Sequence, residues 1–320
     1  MKYLGFDIGG TKSAVVLGDE SGAVLHRETF ATSGPAETLE RLFAAASPWA
    51  SEAVAAGISC GGPLDEATGV ILSPPNLPGW DRVAIVDMIR ARFGILARLC
   101  NDANACALAE WRFGAGKGSR NMAFLTFGTG LGAGLILDGR LYTGTNGNAG
   151  EIGHIRMAPY GPVGYGKEGS LEGFVSGSGL AQTGRTAALE LLQRGEAPMY
   201  CKSIAELPTV TAKTIADAAD AGDPTARAVY RRCGERLGAG LSILVDILNL
   251  DRIVIGSIFQ RSENLLRPAM EETMQRECLP EALRAVRVVP AALGNRIGDL
   301  AALSLAMDAA AQTEERSQNG

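Results

Sequence analysis

The sequence predicts a protein of two similar α/β lobes, from its length, its order of elements and an internal repeat. A chain of 320 residues is long enough for two domains. Short apolar strands alternate with amphipathic helices along most of it. Residues 5–25 and residues 127–142 both read as strand, Gly/Thr turn, strand, polar turn and strand. Unless these are two unrelated glycine-rich hairpins, the repeat predicts two similar lobes that face a shared cleft.

Apolar periodicity and Gly/Pro turns place the elements of the first lobe. Leu39, Leu42 and Phe43, for example, fall on one face of a helix over residues 36–46. The pattern predicts strands at 2–6, 13–18 and 24–29, helix 36–46, strand 54–59, helix 85–93, strand 97–100 and helix 103–111.

The second lobe begins with a comparable strand pair and then becomes mostly helical. The same criteria predict strands at 121–127 and 132–137, helices at 178–192, 212–221 and 224–248, strand 252–255, helix 265–277, strand 286–290 and helix 297–310.

Composition and charge exclude several classes of protein. The net charge is −5 and the pI about 5.3, with no dense basic block, which argues against a nucleic-acid partner. An anionic ligand must then be held locally, by backbone N–H groups and a metal. No apolar run is long enough to span a bilayer, and no signal peptide is evident. The six cysteines form no C-x-x-C pair and read as buried thiols of a reducing cytosol, so a cytoplasmic protein is predicted.

The first candidate site is the turn Asp7-x-Gly9-Gly10-Thr11-Lys12. Successive small residues in a turn expose several N–H groups to one concavity, which suits phosphate oxygens. Asp7, at a strand end, suits Mg²⁺ coordination, either direct or through water. The segment does not match the Walker pattern, and a plain hairpin turn is the alternative reading.

The second candidate is the glycine-rich segment Gly128-Thr129-Gly130-Leu131-Gly132-Ala133-Gly134. It superficially matches the dinucleotide-binding fingerprint. In that fingerprint, however, a helix follows the glycines, whereas here a second strand is predicted. A phosphate-binding loop between two strands fits the pattern better.

The third candidate is the pair Asn101 and Asp102, directly before a predicted helix. Asp102 is a good N-cap residue, and capping alone is one reading. The other reading makes the Asp102 carboxylate a general base at the start of a helix in the cleft. The two roles are compatible.

The fourth candidate is Glu151 with His154, whose spacing places both on one side of a helical turn. The chain has only one other histidine, His26, which falls in a predicted surface hairpin. His154 lies among glycines and acidic residues. A carboxylate beside an imidazole can hold the vicinal hydroxyls of a sugar.

Together, these motifs resemble the ROK family of sugar kinases and sugar-responsive repressors over residues 2–307. The matching segments are F-D-I-G-G-T-K from Phe6, N-L-P-G-W from Asn76, N-D-A-N-A from Asn101, L-T-F-G-T-G-L-G-A-G from Leu125, G-E-I-G-H from Gly150, I-V-I-G from Ile253 and A-L-G-N-R-I-G from Ala292. The resemblance implies a two-lobed, actin-like (RNase H-like) ATPase fold with duplicated βββαβα-type domains. A smaller lobe would comprise residues 1–113, with a C-terminal helix at about 297–312 packing back on it, and a larger lobe residues 114–296.

The resemblance also implies an activity: ATP- and Mg²⁺-dependent phosphorylation of a glucose-type hexose, at the 6-OH. By analogy with the family, Asp102 would be the catalytic base. The residues implied to hold the sugar are Gly62, Asn101, Asp102, Glu151, His154 and Glu172. Those implied to hold ATP are Asp7, Gly9, Gly10, Thr11, Lys12, Gly128, Thr129 and Gly130 for the phosphates and Gly256 for the adenosine.

Several alternatives stay open at this stage. The sugar could be N-acetylglucosamine, N-acetylmannosamine or fructose, and the donor could be polyphosphate. A non-enzymatic alternative is a sugar-binding regulator, although no helix-turn-helix is expected before Lys2. A homodimer is expected from the resemblance, with a small-molecule sugar as the partner and neither nucleic acid nor membrane.

The sequence departs from the family at a zinc motif, C-x-C-G-x-x-G-C-x-E. Val163, Tyr165 and Ser170 occupy the three cysteine positions, while the final glutamate, Glu172, is kept. His154 alone cannot form a tetrahedral zinc site, so no zinc is predicted. Packing of Tyr160, Pro162 and Tyr165 is expected to hold the loop at residues 159–170 instead.

Overall fold

The computed structural model describes residues 1–318, with side chains described to residue 312. The chain forms two compact units. Unit 1 comprises residues 1–118, residues 134–149 and the chain from Ala292 onward, and unit 2 comprises residues 119–133 and 150–291. The lobe boundaries expected from the sequence, 1–113 with 297–312 and 114–296, stay a prediction.

The elements of the first part of the chain lie close to their predicted positions. They are β1 (Lys2–Ile8), β2 (Lys12–Asp19), β3 (Val24–Ala31), α1 (Pro35–Ala46), β4 (Ala53–Cys60), β5 (Leu64–Asp65), β6 (Val70–Ile71), α2 (Ile85–Phe93), β7 (Leu96–Asn101) and α3 (Asp102–Phe113). Five strands form a sheet in the order β3-β2-β1-β4-β7. β1 pairs antiparallel with β2 and parallel with β4, which pairs parallel with β7.

The rest of the chain contains a second five-stranded sheet and most of the helices. Its elements are β8 (Met122–Phe127), β9 (Leu131–Leu137), β10 (Arg140–Tyr142), β11 (Val163–Gly164), β12 (Lys167–Glu168), α4 (Leu171–Phe174), α5 (Gly177–Leu192), α6 (Ala212–Asp220), α7 (Pro224–Leu248), β13 (Arg252–Ile255), α8 (Ile258–Glu277), α9 (Pro280–Ala285), β14 (Arg287–Pro290) and α10 (Ile297–Gln318). The sheet order is β10-β9-β8-β13-β14, and the division between the units falls within β9.

The two large sheets have the same topology. In each, the order is third, second, first, fourth and fifth strand, counted along the chain. In each, the first strand pairs parallel with the fourth, and the fourth with the fifth. The duplication predicted from the two glycine-rich segments is therefore confirmed, and the reading of two unrelated hairpins is wrong.

Helix α10 packs directly on the first sheet, against β1 and β4. Two glycines allow this close approach. A Cβ atom on Gly57 would lie 2.1 Å from the carbonyl oxygen of Ala302, and one on Gly5 would lie 2.8 Å from the Ala302 Cβ. Because only glycine lacks that atom, the helix backbone can lie flat on the strands. Leu4, Phe6 and Ile58 are buried in the core of this unit.

The main differences from the predicted elements concern short or interrupted segments. α8 begins at Ile258 rather than at residue 265, and its backbone is kinked at Ser262 (φ −130°, ψ 29°). That kink and the polar residues around it break the apolar period on which the prediction relied. The hairpin β11–β12 and helix α9 were missed because segments of two to six residues show no periodicity. Within residues 1–318, no helix is both long and apolar enough to cross a lipid bilayer.

Candidate active site

In unit 1, three strands end in register at one edge of the sheet. Ile8 of β1 pairs with Cys60 of β4, and Cys60 pairs with Asn101 of β7. The carboxyl ends of parallel strands are where open α/β sheets bind ligands. The register therefore brings together the three loops that carry the predicted site residues of this unit.

Asn101, not Asp102, caps helix α3. The Asn101 Oδ1 accepts a hydrogen bond of 2.9 Å from the backbone N–H of Ala103. The expectation that Asp102 is the N-cap residue is therefore wrong, because Asp102 is already the first residue of the helix. The amide nitrogen of Asn101 lies 3.6 Å from the position of a Cβ on Gly62, so this side chain also faces the Gly62 turn.

The carboxylate of Asp102 is thus free of any capping role. The residue is exposed to solvent. Protein atoms around the carboxylate nevertheless remove enough water to raise the pKa of Asp102, against the lowering effect of the backbone N–H groups of Ala103 and of Asp102 itself. A carboxylate with a raised pKa on an exposed residue is suited to accept a proton from an incoming hydroxyl.

Asp7, near the end of β1, lies among other carboxylates. Burial and the negative charges of Asp299 and Asp102 raise its pKa to about 6, while Arg27 and Lys12 act in the opposite direction. Asp299 is buried, and its two carboxylate oxygens share the Nε–H of Arg27, at N–O distances of 2.8 and 3.0 Å. Sequence reasoning missed Asp299, although the segment N-R-I-G immediately precedes it.

The donor chemistry at Asp7 fits Mg²⁺. Oxygen ligands are those that Mg²⁺ prefers, and a cation would relieve the repulsion that raises the pKa of Asp7. Among the side chains described to residue 312, no three His, Cys, Asp or Glu residues could hold a metal between them.

The turn after β1 is closed by its own hydrogen bond. The Gly9 N–H donates to the carbonyl of Lys12 at 3.2 Å, and the Thr32 hydroxyl donates to the carbonyl of Gly9 at 2.6 Å. A Cβ on Gly10 would lie 2.5 Å from the carbonyl oxygen of Asn76, so the N-L-P-G-W segment lies against this turn. Gly10, Thr11 and Lys12 are exposed, as a phosphate-binding turn requires.

Glu66 is a further residue of this edge that the sequence did not indicate. Its Oε1 accepts a hydrogen bond of 3.0 Å from the backbone N–H of Asn101. The contact holds the junction of β7 and α3, where Asp102 lies. A lone glutamate in an irregular loop carries no sequence signal for this role.

In unit 2, the turn between β8 and β9 repeats the construction of the first turn. The Gly128 N–H donates to the carbonyl of Gly130 at 3.1 Å. The first N–H groups of α5 donate to the other side of the turn, Gly177 to the Gly128 carbonyl at 2.8 Å and Ser178 to the Thr129 carbonyl at 3.3 Å. Thr129 is left exposed at the tip.

Glu172 joins this turn to the predicted sugar-binding segment. Its Oε2 accepts a hydrogen bond of 2.9 Å from the backbone N–H of Leu131 and leaves no room for a side chain at Gly130, where a Cβ would lie 2.7 Å away. A Cβ on Gly153 would lie 3.3 Å from the Cβ of Glu172. Glu172 therefore contacts both the Gly128–Gly130 turn and the Glu151–His154 segment.

Glu151 and His154 lie on a short 3-10 helix, Ile152–His154, which Glu151 immediately precedes. In this type of helix, residues three apart are eclipsed on one side. Both side chains are exposed. His26, by contrast, lies on β3 and stacks on Trp49 with ring centroids 5.2 Å apart.

Gly256 directly follows β13 and lies near the Gly128–Gly130 turn. Its N–H donates to the carbonyl of Leu125 at 3.0 Å, and Ser257 begins α8 with a capping box. The Ser257 Oγ lies 4.0 Å from the position of a Cβ on Gly128. Unit 2 thus brings together Gly256, the Gly128–Gly130 turn and Glu172.

Several hydrogen bonds hold the loop at residues 159–170. Gln182 of α5 makes two of them to the backbone of Val163, at 2.9 and 3.0 Å, and the Ser170 hydroxyl accepts from the Gly173 N–H to cap α4. Tyr160 is 80 % exposed, so the expectation that its packing holds the loop is wrong. Tyr165 is also largely exposed, and its ring contact is with His154. The absence of zinc stays a prediction.

Replacing Asp7 with asparagine should stabilise the protein above pH 6. The unfolded carboxyl, with a pKa near 3.8, binds its proton less tightly than the folded one, with a pKa of about 6. Folding stability therefore falls as pH rises through this window, and Asp7→Asn removes the loss. We expect a gain of about 1–2 kcal/mol at pH 7.5 and little gain at pH 4, measured by urea unfolding.

The matched control for this measurement is Asp19→Asn. Hydrogen bonds from Ser21 lower the pKa of Asp19, so its replacement should give no gain at pH 7.5. An equal gain from Asp7→Asn at both pH values would contradict the account of Asp7.

Comparison with known proteins places the chain in a family. The ROK family model matches residues 3–309. A glucokinase from Streptomyces coelicolor is 33 % identical over 310 residues, which cover 95 % of this chain and 97 % of the relative. The transcriptional regulator NagC of Escherichia coli is 31 % identical over 261 residues, which cover 80 % of this chain and 61 % of NagC.

Solved structures agree with this assignment. A ROK hexokinase from Thermus thermophilus superposes with a TM-score of 0.81 at 29 % identity, covering 98 % of this chain and all of the other. A ROK glucokinase from Streptomyces griseus, solved with glucose and AMPPNP, gives a TM-score of 0.75 at 29 % identity, with 96 % and 100 % covered. The expected actin-like ATPase fold is confirmed. This chain belongs to the ROK family.

Proposed function

We propose that the protein phosphorylates a glucose-type hexose with ATP, at the 6-OH, with Asp102 as the general base. The observation that carries the proposal is the position of Asp102 and its freedom from the capping role. Asp102 is an exposed residue at the carboxyl edge of the first sheet, and the N-cap hydrogen bond of α3 is made by Asn101 instead. The similarity to glucokinases supports glucose as the acceptor.

Polar groups that are proposed to bind the sugar occur within each unit. In unit 1, the Oδ1 of Asn101 caps α3, while its amide nitrogen faces the Gly62 turn. The amide nitrogen can therefore donate to a sugar hydroxyl. In unit 2, the exposed Glu151 and His154 can bind vicinal hydroxyls, and Glu172 uses one oxygen for the Leu131 N–H. Asp102 would accept the proton from the attacking 6-OH.

In each unit, the glycine turn is proposed to bind phosphate oxygens of ATP. Gly9 and Gly128 use their N–H groups to close the turns. The exposed residues Gly10, Thr11 and Thr129 are then the ones positioned to meet phosphate oxygens. Lys12 adds a positive charge, and Gly256 would adjoin the adenosine. When bound, Mg²⁺ supplies charge neutralisation on the phosphates, and Asp7 is the carboxylate proposed to hold it.

The second candidate function is a sugar-sensing regulator, favoured by the similarity to NagC. A regulator would bind sugar without consuming ATP. The two functions therefore differ in a single measurable product, ADP released in the presence of sugar.

A coupled ADP-release assay over a panel of about ten sugars tests the proposal. The panel includes glucose, mannose, fructose, allose, N-acetylglucosamine and N-acetylmannosamine, with ATP and polyphosphate compared as donors. We expect the highest kcat/KM with glucose and ATP. Sugar binding without any ADP release would support the regulator. A preference for an N-acetylated sugar would change the proposed substrate from glucose-type hexoses to N-acetylhexosamines.

A further inference from the structure

We propose that Tyr165 and Lys167 are positioning residues that hold His154 in the orientation that binds the sugar. This inference rests on the proposed function, because it assigns His154 to the sugar. It adds two residues for which the sequence indicated no such role. All of the contacts that carry it lie within unit 2.

The first observation is a ring contact. The rings of His154 and Tyr165 have centroids 5.4 Å apart and an angle of 82° between their planes, which is an edge-to-face pair. Such pairs favour one orientation of both rings. His154 is otherwise an exposed side chain on a short 3-10 helix. The ring of Tyr165 therefore restricts an imidazole that would be free to rotate without it.

The second observation is a hydrogen bond to the backbone of the same histidine. The Lys167 ammonium donates to the carbonyl of His154 at 2.5 Å. Lys167 is the first residue of β12, two positions after Tyr165. The same hairpin thus fixes both the ring and the main chain of His154.

The β11–β12 hairpin is itself held in place by hydrogen bonds to other segments of unit 2. β11 is bound by both hydrogen-bonding groups of the Gln182 side chain, at 2.9 and 3.0 Å. β12 is bound at the carbonyl of Glu168 by the Arg156 guanidinium, at 2.8 Å. Gln182 belongs to α5 and Arg156 follows the 3-10 helix, so the hairpin is tied on both sides.

The third observation is the backbone of Tyr165. Tyr165 and Gly166 form the two-residue turn between β11 and β12, with φ values of +43° and +74°. Two central residues with positive φ define the type I′ turn, which favours Asn-Gly. Tyrosine is unfavourable at its first position. It is also 67 % exposed, so core burial does not account for its presence, whereas its contact with His154 does.

The turn geometry gives a substitution that separates positioning from folding. Tyr165→Asn removes the ring but puts a favoured residue at the turn, so the hairpin should be kept and the melting temperature should be unchanged or higher. Tyr165→Phe keeps the ring and should behave like the unmodified protein. Tyr160→Asn is the matched control, because Tyr160 lies in the same loop, is 80 % exposed, and has no ring partner among the side chains described to residue 312.

The direct readout is the NMR spectrum of the two histidines after labelling the full-length protein with ¹³C at the imidazole Cε1. His26, stacked on Trp49, serves as an internal reference. Tyr165→Asn should shift the His154 signal and leave the His26 signal in place, while Tyr160→Asn should shift neither. An unmoved His154 signal in Tyr165→Asn would overturn the proposal.

The functional readout is the split between KM and kcat. Tyr165→Asn should raise the sugar KM by about 2- to 10-fold, the effect of losing one aromatic pair, with kcat nearly unchanged and with wild-type values in Tyr165→Phe. Lys167→Met should also raise the sugar KM. A KM unchanged in Tyr165→Asn, or one zinc ion bound per chain by elemental analysis, would contradict the role of these residues. If the unmodified protein phosphorylates no sugar, the proposed function fails, and the histidine signals still decide whether the contact exists.

Discussion

Asp102→Asn should lower turnover by at least about 10²-fold, because an asparagine side chain cannot accept the proton of the attacking hydroxyl. The sugar KM should change much less, since the amide keeps the size and one acceptor oxygen of the carboxylate. Stability should be retained. The N-cap hydrogen bond of α3 is made by Asn101, so the substitution at Asp102 leaves it intact. Steady-state kinetics and the thermal melting temperature check the two expectations separately.

Asp87→Asn is the matched control for this variant. Asp87 also lies in the first turn of a helix of unit 1 and is exposed. It forms a surface ion pair with Arg90 at 3.3 Å. The same change in side chain and charge at Asp87 should leave turnover within about twofold of that of the unmodified protein. Near-normal turnover in Asp102→Asn would remove Asp102 from the role of base.

The sequence predicted the sheets better than it predicted the contacts between distant segments. The Gly/Thr turns marked strand ends, and the repeated turn pattern predicted two sheets whose strand order is the same. These are local signals, which depend on backbone geometry within a few residues. The strand register then brings Asp7, Gly62 and Asp102 to one edge, because parallel strands end on the same side.

Contacts between residues far apart in the chain have no such local signal. Asp299 meets Arg27 across 272 positions of the sequence, and neither lies in a pattern that indicates the other. The choice of N-cap was equally undetermined. Asn101 and Asp102 are both good caps, and the structure decides between them by ending β7 at Asn101. The position of Tyr165 in a two-residue turn was not predicted, because such turns are defined by dihedral angles that a sequence does not display.

The interior of α3 supplies the largest expected effect on stability. Glu110 is fully buried, and its carboxylate accepts hydrogen bonds from the backbone N–H groups of Ala115, Ala292 and Leu293 at 2.7, 3.0 and 2.9 Å. The last two belong to the segment that leads into α10. Glu110 thus ties the helix that carries Asp102 to the chain that begins α10, entirely within unit 1.

Glu110→Ala should lower the free energy of unfolding by about 3 kcal/mol or more, because the backbone N–H groups of Ala115, Ala292 and Leu293 would lose the acceptor that the fully buried Glu110 supplies. The stability of Glu110→Gln should lie between that of Glu110→Ala and that of the unmodified protein. Its one carbonyl oxygen can still accept a hydrogen bond, while its NH₂ group would face other donors. Gly114→Ala is an independent variant, because its Cβ would lie 2.0 Å from the Glu110 Oε2 and displace the carboxylate.

The control is Glu40→Ala, which removes an exposed glutamate from helix α1 of the same unit and should change stability by less than about 0.5 kcal/mol. Urea unfolding midpoints measured at constant slope compare all four variants. Equal midpoints for Glu110→Ala and Glu40→Ala would show that the carboxylate does not hold the α10 segment. A lower midpoint for Glu110→Ala, with kcat kept in the fraction that remains folded, would instead place Glu110 in the scaffold that supports Asp102 and outside the chemistry.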